Sequence, residues 1–363
     1  MISVEVAIEI KNNQIHLLKC LRSNIYHQTE TLRVQKPQVK ILSTGKYLPK
    51  KKVTAQELEL SLGLTKGWIE KKSGVLIRHF VDDETSSLMG AYAAKDALET
   101  AGLSFSDIDC LICTSASPEQ GIPCTAALIQ KQLDGGNSGI PAFDINSTCL
   151  SFVTGLDMVS YLIAAGRFKR VLLVASEVCV GLNWQDKETC TLFGDGAAAA
   201  IIAKSEPHES SQILSSRMET YSKGAHLTEC RGGGNKHHFE EYTDNLEYFL
   251  FRMDGRGVYR LASEILPNFV NSLLQPSGLE IADMQMVIPH QASLMAMGLL
   301  RKQLGIPEEK LMVIAQNHGN TLAASVPMAL HEAIAQGKIK RGDRIMLLGT
   351  SAGFSVGGIV LEY

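Results

Sequence analysis

Ala101-Gly-Leu-Ser-Phe-Ser-Asp-Ile-Asp-Cys-Leu-Ile112 is echoed 176 residues later by Ser277-Gly-Leu-Glu-Ile-Ala-Asp-Met-Gln-Met-Val-Ile288, with Gly, Leu, Asp and Ile recurring in register. A second echo pairs Ala165-Gly-Arg167 with Gln336-Gly-Lys338 at an offset of 171 residues. Each of these is followed by an apolar strand, Val171 to Ala175 in one copy and Ile345 to Gly349 in the other. The same offset of 171 separates Cys149 from Asn320, so a thiol and an amide occupy equivalent places in two copies. Strand and helix patterns alternate in both copies, which predicts an α/β layered fold made of two duplicated halves.

Local patterns extend outward from these anchors. Pro141 to Ile145 reads as a short strand. Leu150 to Ala165 is helical in length and apolar nearly all round, the mark of a buried central helix, and Gly166 supplies its stop. In the second copy Met312-Val-Ile-Ala315 reads as the strand and Thr321 to Ala335 as the helix, with Gly337 as the stop. The halves run from 39 to 210 and from 211 to 363. Residues 1–38 form an N-terminal extension of unknown role outside the repeat, with strand-like alternation at Val4 to Ile10 and a short helical pattern at Ile15 to Ile25.

Composition excludes several function classes. The 363 residues are 45% hydrophobic and 20% charged, an ordinary globular balance. A formal charge of −3 leaves no basic footprint for nucleic acid. No apolar run reaches the roughly 18 residues a membrane span needs. The first ten residues carry acids inside their apolar stretch, unlike a signal peptide, so a cytoplasmic protein is expected. Eight cysteines in so long a chain do not suggest a disulfide framework. Cys110 and Cys113 have redox spacing but sit in an apolar, strand-like run, whereas a redox pair belongs at a helix N-terminus. His237 and His238 lack further ligands at metal spacing. Gly194-Asp-Gly196 lacks the rest of a dinucleotide fingerprint and reads as a turn.

Three polar residues carry the chemistry. Cys149 lies in Asp144-Ile-Asn-Ser-Thr-Cys-Leu-Ser-Phe152, where a strand hands over to the buried helix; free N–H groups and the dipole there favour a thiolate. His290 follows Met286-Val-Ile-Pro289 at a strand end, and Asn320 sits in Asn317-His-Gly-Asn320. A thiol can carry an acyl group, and an imidazole and an amide can hold a thioester oxygen as it becomes an enolate. Taken singly, the Cys could be core, the His a loop cap and the Asn a turn residue. His318 is a competing imidazole, read as structural. Gly349-Thr-Ser-Ala-Gly353 matches the hydrolase elbow formally, but the strand pattern after Phe354 fails its strand–turn–helix context, so a tight turn is expected and not a Ser351 nucleophile.

From about Val39 to Tyr363 the chain resembles the β-ketoacyl-acyl-carrier-protein synthase III family of thiolase-fold condensing enzymes. The resemblance rests on Gly45-Lys-Tyr-Leu-Pro49, Trp68-Ile-Glu-Lys-Lys-Ser-Gly74, the Cys149 segment, Leu192-Phe-Gly-Asp-Gly-Ala-Ala-Ala199, Pro289-His-Gln-Ala292, His318-Gly-Asn-Thr321 and the Gly-rich end after Leu348. It implies five layers, α-β-α-β-α, and a catalytic set of Cys149, His290 and Asn320. The implied reaction is a decarboxylating Claisen condensation of an acyl-coenzyme A with a malonyl thioester, most simply on acyl carrier protein, with no metal or redox cofactor. Backbone N–H groups of Cys149 and Ala352 fall at the implied oxyanion hole; Trp68 and Lys72 fall beside the implied coenzyme A adenine; Ser293 falls near the catalytic His. A homodimer is also implied, with Ile122 helping to close the partner's acyl pocket.

The chain departs from the family pattern at several points. Lys72 replaces a common Arg, Ser293 an Asn, Ala352 a Gly, and Met295 the Arg of the carrier-docking helix, where Arg301 and Lys302 remain. Asn146-Ser-Thr148 replaces a run of small residues. These departures suggest a side branch using a longer or carboxylated primer, such as a biotin precursor. The rival readings are an acyltransferase that makes no carbon–carbon bond and a non-catalytic partner subunit.

Overall fold

A computed structural model of the chain describes residues 36–237 and 245–363. The extension therefore falls, apart from its last three residues, outside the described part, as does His238. Residues Pro37–Tyr363 form one compact unit.

Two sheets mirror each other over four strands, and the fifth strand of the first has no counterpart strand in the second. The first uses β1 (Val39–Tyr47), β4 (Cys110–Cys113), β5 (Ala142–Asp144), β6 (Arg170–Glu177) and β7 (Gly196–Lys204) in the order β1-β7-β6-β4-β5. The second uses β8 (Gln212–Thr220), β11 (Met286–Pro289), β12 (Arg344–Ser351) and β13 (Ser355–Glu362) in the order β11-β12-β13-β8. The parallel pair β4–β6 corresponds to the parallel pair β11–β12, and the antiparallel remainder corresponds likewise. Two hairpin-like pairs, β2 (Lys51–Thr54) with β3 (Ile77–Phe80) and β9 (Thr228–Glu229) with β10 (Arg252–Met253), stand apart from the sheets.

Helices complete the layers. A short α1 (Trp68–Ser73) lies in the connection between β2 and β3. Outside the first sheet lies α2 (Ser86–Ala101), packed on β1, β7 and β6. Between the sheets lies α3 (Ser151–Ala164), touching β6 and β7 on one side and β13 and β8 on the other. Outside the second sheet lie α4 (Gly255–Leu274), against β13 and β8, and α5 (Leu294–Leu304). The second central helix is α6 (Ser325–Ala335). The middle layer explains the all-round apolarity of α3: Phe152, Val153, Leu156 and Val159 are fully buried in the shared core. Each such side chain contributes about 1.5–3 kcal/mol by leaving water.

Two boundaries differ from the sequence reading. Met312–Ala315 is not a strand; Leu311 makes a single parallel bridge to Val287, at the place β5 takes beside β4. The buried amide of Gln291 substitutes for the missing ladder. Its Oε1 accepts the N–H groups of Ile314 (2.8 Å) and Ala315 (3.2 Å), and its Nε2 donates to Met312 O (3.1 Å). The second central helix starts at Ser325, not Thr321, because Leu322 adopts φ +48° and a 3-10 turn spans Leu322–Ala324. The other elements predicted within the described residues appear within a residue or two of their expected ends, as does the tight turn between β12 and β13.

Candidate active site

Cys149 immediately precedes Leu150, the N-cap of α3. The turn that carries it is strained: Thr148 has φ +49°, a left-handed conformation that costs a β-branched residue on the order of 1–3 kcal/mol. Local bonds hold it there. The Thr148 N–H donates to Asn146 Oδ1 at 2.8 Å, and Ser151 Oγ donates to Thr148 O at 2.6 Å while accepting the Ser147 N–H at 2.9 Å. The Thr148 hydroxyl reaches Ala352 O at 3.4 Å, tying this turn to the one between β12 and β13. The departure Asn146-Ser-Thr148 thus has a structural use.

The charge state of the thiol differs from the sequence expectation. Burial pushes Cys149 up to about 12, with Glu177 adding to the rise, while the N–H groups of Cys149 itself and of Ala352 pull the other way. Desolvation outweighs the helix end, so the resting group is a thiol. Both N–H groups nonetheless address the sulfur. Ala352 is not in a left-handed conformation; the adjoining Gly353 takes φ +115°, which leaves the Ala side chain unstrained.

Glu177 ends β6 and is the acid that sequence reasoning missed. It is fully buried, its Oε1 accepts the Ala116 N–H at 2.5 Å, and burial pushes its carboxyl up to about 8. A carboxylate closing an otherwise apolar strand was the available signal. Its effect on the thiol has a definite sign. Below its raised pKa Glu177 is neutral and silent; above it the anion opposes the Cys149 thiolate. Glu177→Gln is therefore expected to leave Cys149 alkylation unchanged below about pH 7 and to raise it above about pH 9, by up to about tenfold for each unit the thiol falls. Iodoacetamide rates, read on the Cys149 peptide so that the exposed Cys230 does not contribute, test this. Coincident curves at every pH would show that the charge does not reach the thiol.

His290 stands at the end of β11, its N–H donated to Leu348 O at 2.8 Å. Burial pushes the imidazole down to about 4, so it is neutral near pH 7. Its Nδ1 lies 2.7 Å from Ser325 Oγ. Asn320 is fixed by backbone on both sides: its N–H donates to Leu192 O at 2.8 Å and its carbonyl accepts the Gly194 N–H at 3.3 Å. Its side-chain Nδ2 donates to Ala292 O at 3.4 Å, and its Oδ1 accepts the Leu322 N–H at 2.9 Å. Gly349 lets these pieces converge. A Cβ there would meet His290 Cβ and Leu150 Cδ2, each at 3.0 Å, so the histidine and the residue after Cys149 press on one glycine.

Cys149, His290, Asn320, Ala352 and Ser293 line one cavity of about 470 Å³. Its wall continues along Val258, Ala262 and Leu266 of α4 and Ala296 and Leu300 of α5, and the described wall holds no Lys or Arg. Ser293 caps α5 by accepting the Ala296 N–H at 3.1 Å. Trp68, Lys72 and Ile122 lie outside this wall. Trp68 packs beside Ala55, Leu58 and Ile69 at the start of α1. Lys72 Nζ is 5.9 Å from the Trp68 ring centre and 2.8 Å from Glu188 Oε1. Ile122 is 87% exposed. The bland readings hold elsewhere: Cys110 and Cys113 are buried in β4, with thiols pushed up by burial to about 11 and about 12. All seven described cysteines are free, and among the described residues no cluster suits a metal ion. Among them, too, no helix is long and apolar enough to cross a membrane.

Known proteins resemble the chain over most of its length. Residues 143–222 match the family model of 3-oxoacyl-[acyl-carrier-protein] synthase III, and residues 274–363 match the model of its C-terminal part. The β-ketoacyl-[acyl-carrier-protein] synthase III of Aquifex aeolicus is 37% identical over 89% of this chain and 99% of its own. That of Clostridium tetani is 33% identical over 90% and 98%. The crystal structure of the Aquifex aeolicus enzyme superposes with a TM-score of 0.81, covering 90% of this chain and 100% of its own at 36% identity. The priming β-ketosynthase of the R1128 polyketide pathway superposes at 0.81, with 27% identity over 91% and 98%. The chain belongs to the β-ketoacyl-[acyl-carrier-protein] synthase III family, thiolase-fold acyltransferases that perform a Claisen condensation in fatty-acid synthesis.

Proposed function

We propose that the condensation runs through an acyl-Cys149 intermediate. The observation that carries this is the convergence of Cys149, His290 and Asn320 on one cavity, with the N–H groups of Cys149 and Ala352 both addressing the sulfur. The Cys149 sulfur attacks the carbonyl of an acyl-coenzyme A; the departing coenzyme A thiolate takes up the proton the thiol loses. A malonyl thioester then enters. Its carboxylate leaves as carbon dioxide, and the bonding pair passes into an enolate whose oxygen accepts from His290 and Asn320. The enolate carbon attacks the acyl-Cys149 carbonyl. The tetrahedral oxyanion accepts from the two N–H groups, then collapses to a 3-oxoacyl thioester and a Cys149 thiolate, which takes a proton from solvent water because the first one left with coenzyme A. In such sites each donor supplies about 3–4 kcal/mol. These steps ask for no metal or redox cofactor.

The nucleophile belongs to the half 39–210, the His and Asn to the half 211–363, and residues 1–38 have no role in this scheme. The wall bears on the primer. Among the described residues it holds no Lys or Arg and offers a second carboxylate no counter-charge, which favours an uncharged acyl group over a dicarboxylic primer. The same lack favours loss of the malonyl carboxylate as uncharged carbon dioxide. On coenzyme A, the Lys72 ammonium above Trp68 supports a site for the adenine. Arg301 and Lys302 in the last turn of α5 support docking of an acidic carrier protein, while Met295 on that helix is 62% exposed. Strand β5 pairs on one side only, with β4, and Phe143 on it and Ile122 near it are exposed. A cytoplasmic homodimer that continues the sheet through β5 covers both.

The test is reconstitution with acyl-coenzyme A and malonyl carrier protein. One carbon dioxide per 3-oxoacyl product is expected, from a dimer by light scattering at micromolar concentration. Acyl transfer without carbon dioxide would replace condensation by simple acyl transfer, and a fully active monomer would remove the role of Ile122.

A further inference from the structure

His290 and Asn320 come from different loops, and one side chain joins them. Ser325 opens α6, five residues after Asn320, and is completely buried. Its Oγ lies 2.7 Å from His290 Nδ1 and accepts the Gln291 N–H at 3.3 Å. A hydroxyl has one proton and two lone pairs. The Gln291 N–H takes one lone pair, which leaves two arrangements for the contact with His290. In one, the Ser325 O–H donates to Nδ1, so the ring proton sits on Nε2. In the other, Nδ1–H donates to Oγ, and the Ser325 proton must find another acceptor. The described structure gives Oγ no partner besides His290 and Gln291, and a buried hydroxyl is rarely left without an acceptor. The first arrangement satisfies the Ser325 hydroxyl and leaves Nε2–H facing the cavity; the second strands the hydroxyl proton.

We infer that Ser325 is a positioning residue that fixes the tautomer of His290, donating to Nδ1 so that Nε2 carries the proton and acts as a hydrogen-bond donor. A ring so held can donate to a developing enolate oxygen and cannot accept a proton at Nε2. The ring nitrogen used for chemistry is set by the bond the other nitrogen makes. The Gln291 N–H orients the hydroxyl and the side chain of Gln291 braces the strand-end loop, so the arrangement is built from residues flanking both donors. The consequence for catalysis rests on the proposed role of His290, whereas the tautomer itself does not.

Nitrogen-15 histidine spectra of the full chain at pH 7, with the His290 signal identified by its loss in His290→Ala, read the tautomer directly. The expected wild-type signal is the Nε2–H form. In Ser325→Ala this signal is expected to shift towards a mixture. Decarboxylation of malonyl thioester is expected to fall by roughly ten- to a hundredfold, the size found for outer partners of functional histidines at metal sites. Acylation of Cys149 should be unchanged, and Ser325→Thr should restore part of the loss. Thermal melting confirms that each variant is folded. A wild-type His290 protonated at Nδ1 overturns the inference whatever the activities. So does a folded Ser325→Ala with unchanged tautomer and unchanged decarboxylation. If the tautomer is as expected but His290→Ala decarboxylates normally, the positioning by Ser325 stands and the proposed role of His290 fails.

Discussion

Cys149→Ala is expected to lower formation of 3-oxoacyl product by at least about a thousandfold, since losing a nucleophile removes the covalent route entirely. The fold should survive. The substitution deletes one sulfur at the wall of a cavity, and removing so small a group costs about 1 kcal/mol. The Thr148 turn keeps its bonds to Asn146, Ser151 and Ala352, none of which uses the thiol. Decarboxylation of malonyl thioester should continue, because His290 and Asn320 remain in place. The measurement is product and carbon dioxide in parallel, with mass spectrometry for acyl-enzyme. Carbon dioxide without product and without acyl-enzyme is the expected pattern. A variant that still makes product at more than about a tenth of the wild-type rate would exclude the covalent intermediate.

The duplication made the architecture legible. Matching strand-and-turn text at Ala101 to Ile112 and Ser277 to Ile288 becomes equivalent parallel strands, β4 and β11, and the Gly166 and Gly337 stops close two equivalent central helices. Where the copies diverge, the reading failed for a local reason. Met312 to Ala315 looks like a strand because it is apolar, but the Gln291 side chain has taken the hydrogen bonds a neighbouring strand would have used. No periodicity reports that. Thr321 to Ala335 reads as one helix by its apolar pattern, but Pro327 is tolerated only in a helix's first turn and so marks a start near Ser325; the left-handed Leu322 ends the preceding turn to serve the Asn320 side chain.

The site residues were legible through their flanks, and their charge states were not. A thiol before a helix suggests a thiolate, but the balance depends on how much water the fold removes, and that quantity belongs to the packed structure. Glu177 and Ser325 were missed for a related reason: each is an ordinary polar residue in sequence and gains its meaning from a neighbour far along the chain, 61 residues away at Ala116 for one and 35 at His290 for the other. Ala352 shows the reverse case. It stands where the family commonly has a Gly, and Gly353 beside it takes the unusual φ, so the Ala side chain brings no backbone strain.

His290→Ala and Asn320→Ala should each lower malonyl thioester decarboxylation by about 10²–10³-fold, the loss that follows removal of one preorganised donor to an oxyanion. The double variant should lose little more than either single one, because the two donors address one oxygen and act as a unit. Acylation of Cys149 should stay within a few-fold of wild type in all three. The sulfur is served by the N–H groups of Cys149 and Ala352, and neither belongs to the His290 or Asn320 side chain. The pH dependence separates this scheme from acid catalysis. Burial lowers His290 to about 4, so the group is neutral and its contribution constant from about pH 5.5 to 8. A histidine that had to be protonated would instead lose activity as pH rose through its ordinary range near 6.5. The expected result is therefore a flat decarboxylation rate between those limits in the wild type, with single-turnover acylation measured beside it. Loss of acylation in both single variants would transfer His290 and Asn320 to the first half-reaction. A decarboxylation rate that falls steadily from pH 5.5 to 8 would mean that the imidazolium, not the neutral ring, faces the substrate.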